Sequence, residues 1–482
     1  MNKQLEQLAL LANRRTFLRY SMSGLGLWAA NSLLESPGFC ETAPAIDPLA
    51  SFGVVNPLHH PPKCKRVIFL YMAGGPSHLE TFDHKPELKR LHGTPMPESF
   101  TKGQQLAQLQ GNELKCFAPQ YKFQKWGQCG MEISELFPSL GGIADDLCVI
   151  RSMYTEQINH DPAHTFMNSG AIVAGRPSMG SWLLYGLGAE SQDLPGFVVL
   201  TSAGRGGQMQ PIASRQWSAG FLPSKYQGVK LSSIGDPVMH IRTPQGITAQ
   251  SQHASIEAIN NLNRMRHETT KDSEILTRIA QYELAFRMQT SIPDLVDISG
   301  ESQETLDMYG AKPGDGSFAY NCLLARRLAE RGVRFIQLYH RDWDHHTNLK
   351  SDIKLKAEET DGPAAALIKD LKQRGMLEDT LVIFAGEFGR TPMSQAGNGR
   401  DHHIKAFSIA MAGGGIKGGV THGTTDELGY AAAEHPTSVH DFHATMLHLL
   451  GIDYTRMSVK FQGLDARLTG VEPCRIISEV LA

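Results

Sequence analysis

Seven cysteines are spread over 482 residues and none forms a C-x-x-C pair, which argues against a zinc–thiolate site. Charge of one sign is missing too. Forty-six basic residues face 49 acidic ones, for a net charge of −3. A chain so balanced offers no electrostatic footprint for nucleic acid or an anionic membrane. No stretch reaches the roughly 20 strongly apolar residues that a spanning helix needs. Internal repeats and low-complexity tracts are also absent. What remains is ordinary globular composition, 41% apolar and 20% charged. The length suffices for a large core, as one domain or two.

The amino terminus reads as an export signal and not as part of the fold. Arg14 and Arg15 precede Phe17 and Leu18, then a weakly apolar stretch runs from Tyr20 to Leu34. A twin-arginine signal has this form. The "APA" at Ala43 to Ala45 supplies a cleavage pattern, so residues 1–45 are assigned to the leader. A periplasmic or extracellular location follows, with no stable membrane insertion once the signal is removed. Cys40 lacks the small preceding residue of a lipoprotein signal. Proteins on this route fold before export, so disulfides are not needed, and a metal is often already in place.

Histidine is the residue in excess. There are 20, many beside Asp, Glu or another His, as in "LHHPP", "NHDPAH", "RDWDHH", "RDHH" and "VHDFH". Imidazole is the commonest metal ligand and a frequent proton carrier. Six short aliphatic runs read as buried parallel strands: "RVIFLYMA", "LCVIRSM", "GFVVLTS", "VRFIQLYH", "TLVIFAGE" and "AFSIAMAGG". Helical patterns lie between them, which predicts an α/β three-layer sandwich with a mostly parallel central sheet over residues 60–482. Residues 202–317, loop-rich and then helical, are expected to be an insertion or cap. Ligands of open α/β sheets bind beyond the carboxyl ends of the strands. "GGPSH", "NHDPAH", "RDWDHH" and "EFGR" all follow predicted strands, so a site at that edge is expected.

The leader, "AGGPSHLETFDHKPEL", "WDHH", "GEFGRTP", "GRDHH", "AMAGGGIKGG" and "HDFHATMLHLLGID" together resemble the domain-of-unknown-function 1501 family. That family is grouped with the alkaline phosphatase and sulfatase superfamily, and the resemblance runs from Lys65 to the end. It implies an alkaline-phosphatase-like core and a site assembled in a fixed chain order. "RDWDHH" offers Asp342 and His346 at D-x-x-x-H spacing, while the family's W-D-x-H pattern points to Asp344 and His346. Glu387 stands in the place of a superfamily Asp, and His402, or less readily His403, supplies the last ligand. After the first strand, Ser77, His78, Glu80 and Asp83 replace one acidic ligand, with His78 favoured. The nucleophile place holds His160, with His164 in register. Without Cys or Ser there, orthodox sulfatase chemistry is not expected. Thr165 is the alternative if the register slips. The same resemblance leaves a mutase-like isomerase or transferase open.

One or two divalent ions are expected, zinc or manganese foremost and calcium or magnesium as alternatives. They would polarise an ester oxygen and acidify water. His160 or His164 would serve the attacking water as base, and Arg390, with Arg400, would clamp an anion. His440 and Asp441 start a helix that is expected mainly to pack. The expected substrate is a small or polymeric phosphate, sulfate or related ester. The rival expectation is a non-catalytic, metal-retaining binding or scaffold protein. The sequence leaves the oligomeric state open.

Overall fold

The computed structural model describes residues 53–202, 204–206, 212–238 and 246–482. The expected leader at 1–45 lies outside the described residues. Among those residues no helix is long and apolar enough to cross a membrane.

Each of the six aliphatic runs forms a strand: β1 Arg66–Met72, β2 Leu147–Tyr154, β3 Phe197–Thr201, β5 Phe335–His340, β6 Thr380–Ala385 and β9 Phe407–Ala412. Three short strands extend the sheet: β4 Val229–Lys230, β10 Val420–His422 and β11 Thr437–Ser438. The order is β10-β2-β9-β6-β1-β5-β3-β4, with β11 also on β2. β1 lies at the centre, Tyr71 opposite Tyr339 of β5 on one side and Ala385 of β6 on the other. Every pairing is parallel except those of β9, which runs against both β2 and β6. The expectation that all six strands are parallel is therefore corrected for β9. A tight antiparallel ribbon, β7 Gly389–Gln395 with β8 Gly399–His403, precedes it. The ribbon returns the chain to the edge where β6 ends, so β9 can only enter the sheet in reverse.

Alternation along the strands gives the sheet two apolar faces. Val67, Phe69 and Tyr71 of β1 join one core with Phe166, Trp182 and Phe442. These come from helices α1 His160–Ser169, α2 Met179–Leu187 and α7 Val439–Leu449. On the other face His340 meets the ring of Phe318, in α5 Phe318–Glu330, which packs beside α6 Leu349–Gln373. This is the three-layer arrangement. Four strands, β1, β2, β5 and β6, thus deliver the loops that follow them to one edge.

The expected insertion at 202–317 divides. β4 joins the edge of the central sheet, and residues 290–317 belong to the main unit. Of the described residues, 246–289 belong to a second compact unit. Within it α3 Ala249–Thr270 pairs with the first part of α4 Ser273–Val296, joined by an Asn260–Glu283 hydrogen bond of 3.1 Å and the rings of His253 and Phe286.

Candidate metal centre

The loop after β5 carries Asp344 and His346, and the loop after β6 carries Glu387. His160 opens α1, which follows β2, and His402 lies on β8. Ligand atoms of His160, Asp344, His346 and His402 all lie within 4.8 Å of one another. His346 Nε2 is 2.8 Å and His402 Nε2 3.3 Å from Asp344 Oδ1, and His160 Nε2 is 3.2 Å from Oδ2. The two imidazole nitrogens of His346 and His402 face each other at 3.0 Å.

The far side of each ring decides what those nitrogens carry. His160 Nδ1–H donates to Glu387 Oε1 at 2.6 Å, and His402 Nδ1–H donates to the carbonyl of Ile158 at 2.8 Å. His346 Nδ1–H donates to the side-chain oxygen of Gln395, whose amide in turn donates to Gln108 at 2.9 Å. A neutral imidazole that donates through Nδ1 has only a lone pair on Nε2. Three lone pairs and a carboxylate therefore converge on one point. In that neutral state nothing in the set can donate to the others, so the carboxylate and the rings need either protons or a cation between them, and one cation meets all four ligand atoms at once. Outer acceptors of this kind are what orient histidine ligands at metal sites. Three imidazoles and a carboxylate suit zinc or a neighbouring divalent transition metal.

Electrostatics agree. Burial alone would raise the Asp344 carboxyl, but Arg390 and the three imidazoles hold it well below the usual range. Burial works to lower His160, yet its bonds to Asp344 and Glu387 raise it overall. The two carboxylates beside it favour positive charge at that point. Burial lowers His402 to about 4, leaving it neutral and available as a ligand at ordinary pH. His160, Asp344 and His346 are half-buried, so the centre has a face toward solvent.

Glu387 also accepts the Gly74 N–H at 3.0 Å, and with His160 and His164 it makes a second group. His164 is fully buried, and its Nδ1 sits 2.8 Å from the Tyr71 hydroxyl and 3.6 Å from Glu387. Gly74, at φ 120, is irreplaceable on steric grounds. A Cβ there would lie 2.6 Å from the Asp344 nitrogen.

Three sequence expectations are corrected. Asp342 does not reach the cluster. In the non-helical loop it takes a left-handed conformation, φ 74, and faces Lys356 at 3.7 Å, so D-x-x-x-H spacing brings nothing together here. His78 opens a helical turn, His78–Thr81, that packs beside β7, and its Nε2 bonds to the Gly429 carbonyl at 3.0 Å. Arg390 is buried and points its guanidinium inward. It bonds to the carbonyls of Gly74, Gly75 and Arg400 and to Asp344 at 2.6 Å, which leaves it positioning a ligand instead of clamping an anion. Arg400 makes a buried pair with Glu80 at 2.7 Å. Asp441 closes a capping box with Ser438 at the head of α7, and His440 bonds to the Gly170 carbonyl at 2.8 Å, so both are accounted for by packing. Thr165 donates its hydroxyl back to the Asp161 carbonyl at 2.9 Å.

Sequence reasoning missed Gln395, Gln108 and Asp401. Asp401 accepts the backbone N–H groups of Gln108 and Leu109 at 2.6 and 3.0 Å, fixing that segment against β8. The "RDHH" motif displayed Asp401 next to a ligand, which was the available signal. The glutamines carried none.

A family model described as "Protein of unknown function (DUF1501)" matches residues 64–481. The chain belongs to the DUF1501 family. No curated protein matches this DUF1501 chain. Solved structures similar to it include the PsFucS1 sulfatase from Pseudoalteromonas sp., at 13% identity and a TM-score of 0.30, covering 66% of this chain and 62% of that one. The lipoteichoic acid synthase LtaP from Listeria monocytogenes is similar at 10% identity and a TM-score of 0.33, over 87% and 78% of the two chains. The alkaline phosphatase from the Antarctic bacterium TAB5 is similar at 10% identity and a TM-score of 0.26, over 76% and 96%.

Proposed function

We propose that this DUF1501 protein is a metal-dependent hydrolase of phosphate, sulfate or related anionic esters, exported by the twin-arginine route. The observation that carries the reading is the convergence of three Nε2 lone pairs on Asp344, each fixed by an acceptor behind its ring. A divalent cation held there supplies Lewis acidity toward an ester oxygen. The chain's own part is to hold that set rigid. Glu387, Gln395 and the Ile158 carbonyl fix three ring orientations, and Arg390 fixes Asp344. The head of α1 presents an imidazole where a hydroxyl or thiol nucleophile would stand, and the Thr165 hydroxyl is committed to its own helix. Hydrolysis on this arrangement is a single displacement by water.

Elemental analysis of natively folded protein tests the metal. About one equivalent of zinc or manganese is expected, and less than about 0.2 equivalents after reconstitution rules it out. Loaded protein should then hydrolyse some member of a panel of phosphate and sulfate esters, with inversion at a chiral phosphorus. Retention would mean a covalent intermediate. Replacing Arg14 and Arg15 with Lys should trap the precursor in the cytoplasm, and unchanged export would refute the route. The second reading, a metal-retaining binding protein, is favoured by the inward turn of Arg390, whose guanidinium is committed to Asp344 and to backbone carbonyls. Full metal loading without turnover on any ester would select it.

A further inference from the structure

A second feature lies at the other end of α1, about 15 Å along the helix axis from His160. There the helix stops at Gly170, and a cleft of about 150 Å³ opens between that end, α2 and the segment around residues 464–471. Two exposed arginines line it, Arg176 and Arg467. Neither makes an ion pair among the described residues, unlike most of the protein's buried arginines. Asp465 also lines the cleft, but Lys460 holds it at 3.2 Å. The Arg176 guanidinium is set 5.7 Å over the ring of Phe221 and 5.9 Å over that of Phe461, and those rings stack at 4.2 Å. An aromatic pair thus holds a guanidinium in place without neutralising it. The rim is apolar and exposed, Leu464 at 69% and Val471 at 90%.

We propose that this cleft binds a soluble organic sulfate or phosphate ester, its oxyanion between the two guanidiniums and its apolar body on the rim. A guanidinium fork matches a tetrahedral oxyanion through paired N–H donors. The volume admits one such group and little more, so the rest of the ligand lies across Leu464 and Val471. Binding here needs no metal and involves no residue of the candidate centre.

Calorimetric titration of the full folded chain, treated with chelator so that the candidate centre does not take up the ester, tests this with three probes. Hexyl sulfate carries both features, inorganic sulfate lacks the body, and hexanol lacks the charge. Saturable one-to-one binding of hexyl sulfate is expected, with each control at least about tenfold weaker. Arg176→Ala and Arg467→Ala should each weaken hexyl sulfate by about tenfold, the usual scale for a charge-assisted bond. His346→Ala should leave it unchanged. Binding that survives both arginine changes, is lost in His346→Ala, or is matched by hexanol would overturn the proposal. So would co-sedimentation with phosphatidylglycerol vesicles that disappears in Arg176→Ala, since the ligand would then be a lipid headgroup.

Discussion

At the scale of single residues, the distinction that matters is between atoms that would touch a cation and atoms that aim them. Asp344 and the three Nε2 nitrogens are of the first kind. Glu387 is of the second, because its strongest contact is the Nδ1–H of His160 at 2.6 Å. Removing an outer partner costs roughly 10- to 100-fold in metal affinity, whereas removing a ligand breaks the set. Glu387→Gln is therefore expected to weaken zinc binding by about that factor and keep the stoichiometry. His346→Ala should leave no tight site. Competition titration with a chromophoric chelator separates the two. Equal and complete loss in both variants would make Glu387 a ligand in its own right.

At the scale of elements, the ribbon of β7 and β8 is what brings His402 to His346. Gly399, the first residue of β8, allows that approach, because a Cβ there would lie 1.9 Å from the His346 carbonyl oxygen. Backbone, not a flexible side chain, would have to move. Gly399→Ala is expected to cost about 1–3 kcal/mol, as other overpacked sites do. It should also weaken metal binding by displacing His346. Urea denaturation and the chelator titration read the two effects, and a stable variant with wild-type affinity would contradict the packing. The strands were legible in sequence because buried parallel strands are continuous apolar runs, "RVIFLYM" and "TLVIFA" among them. The edge carrying the site followed from strand direction. What spacing could not show was which of Asp342 and Asp344 faces inward, since one left-handed residue in a loop reverses the alternation. The inward turn of Arg390 was hidden for a similar reason. Its partners are carbonyls of Gly74 and Gly75, distant in sequence and silent in composition.

At the scale of the whole molecule, acid should destabilise this protein early. Burial lowers His78 and His403 to about 4 and His443 to about 3, against an ordinary 6.5. The unfolded chain thus takes up protons that the folded one refuses. Stability contributed by these groups is complete above pH 6.5 and falls as pH drops from there toward 3. The urea midpoint of chelator-treated protein should decline across that window, and a flat profile between pH 6.5 and 4.5 would show that these rings are not held neutral. The converging ligands come from the head of α1 (His160), the loop after β5 (Asp344 and His346) and β8 (His402), which meet only when the centre of the sheet has closed around β1. The last of them, His402, is made only when 402 of the 482 residues have been joined. A cation cannot nucleate such a fold. It would arrive afterwards, and its capture would report a closed sheet.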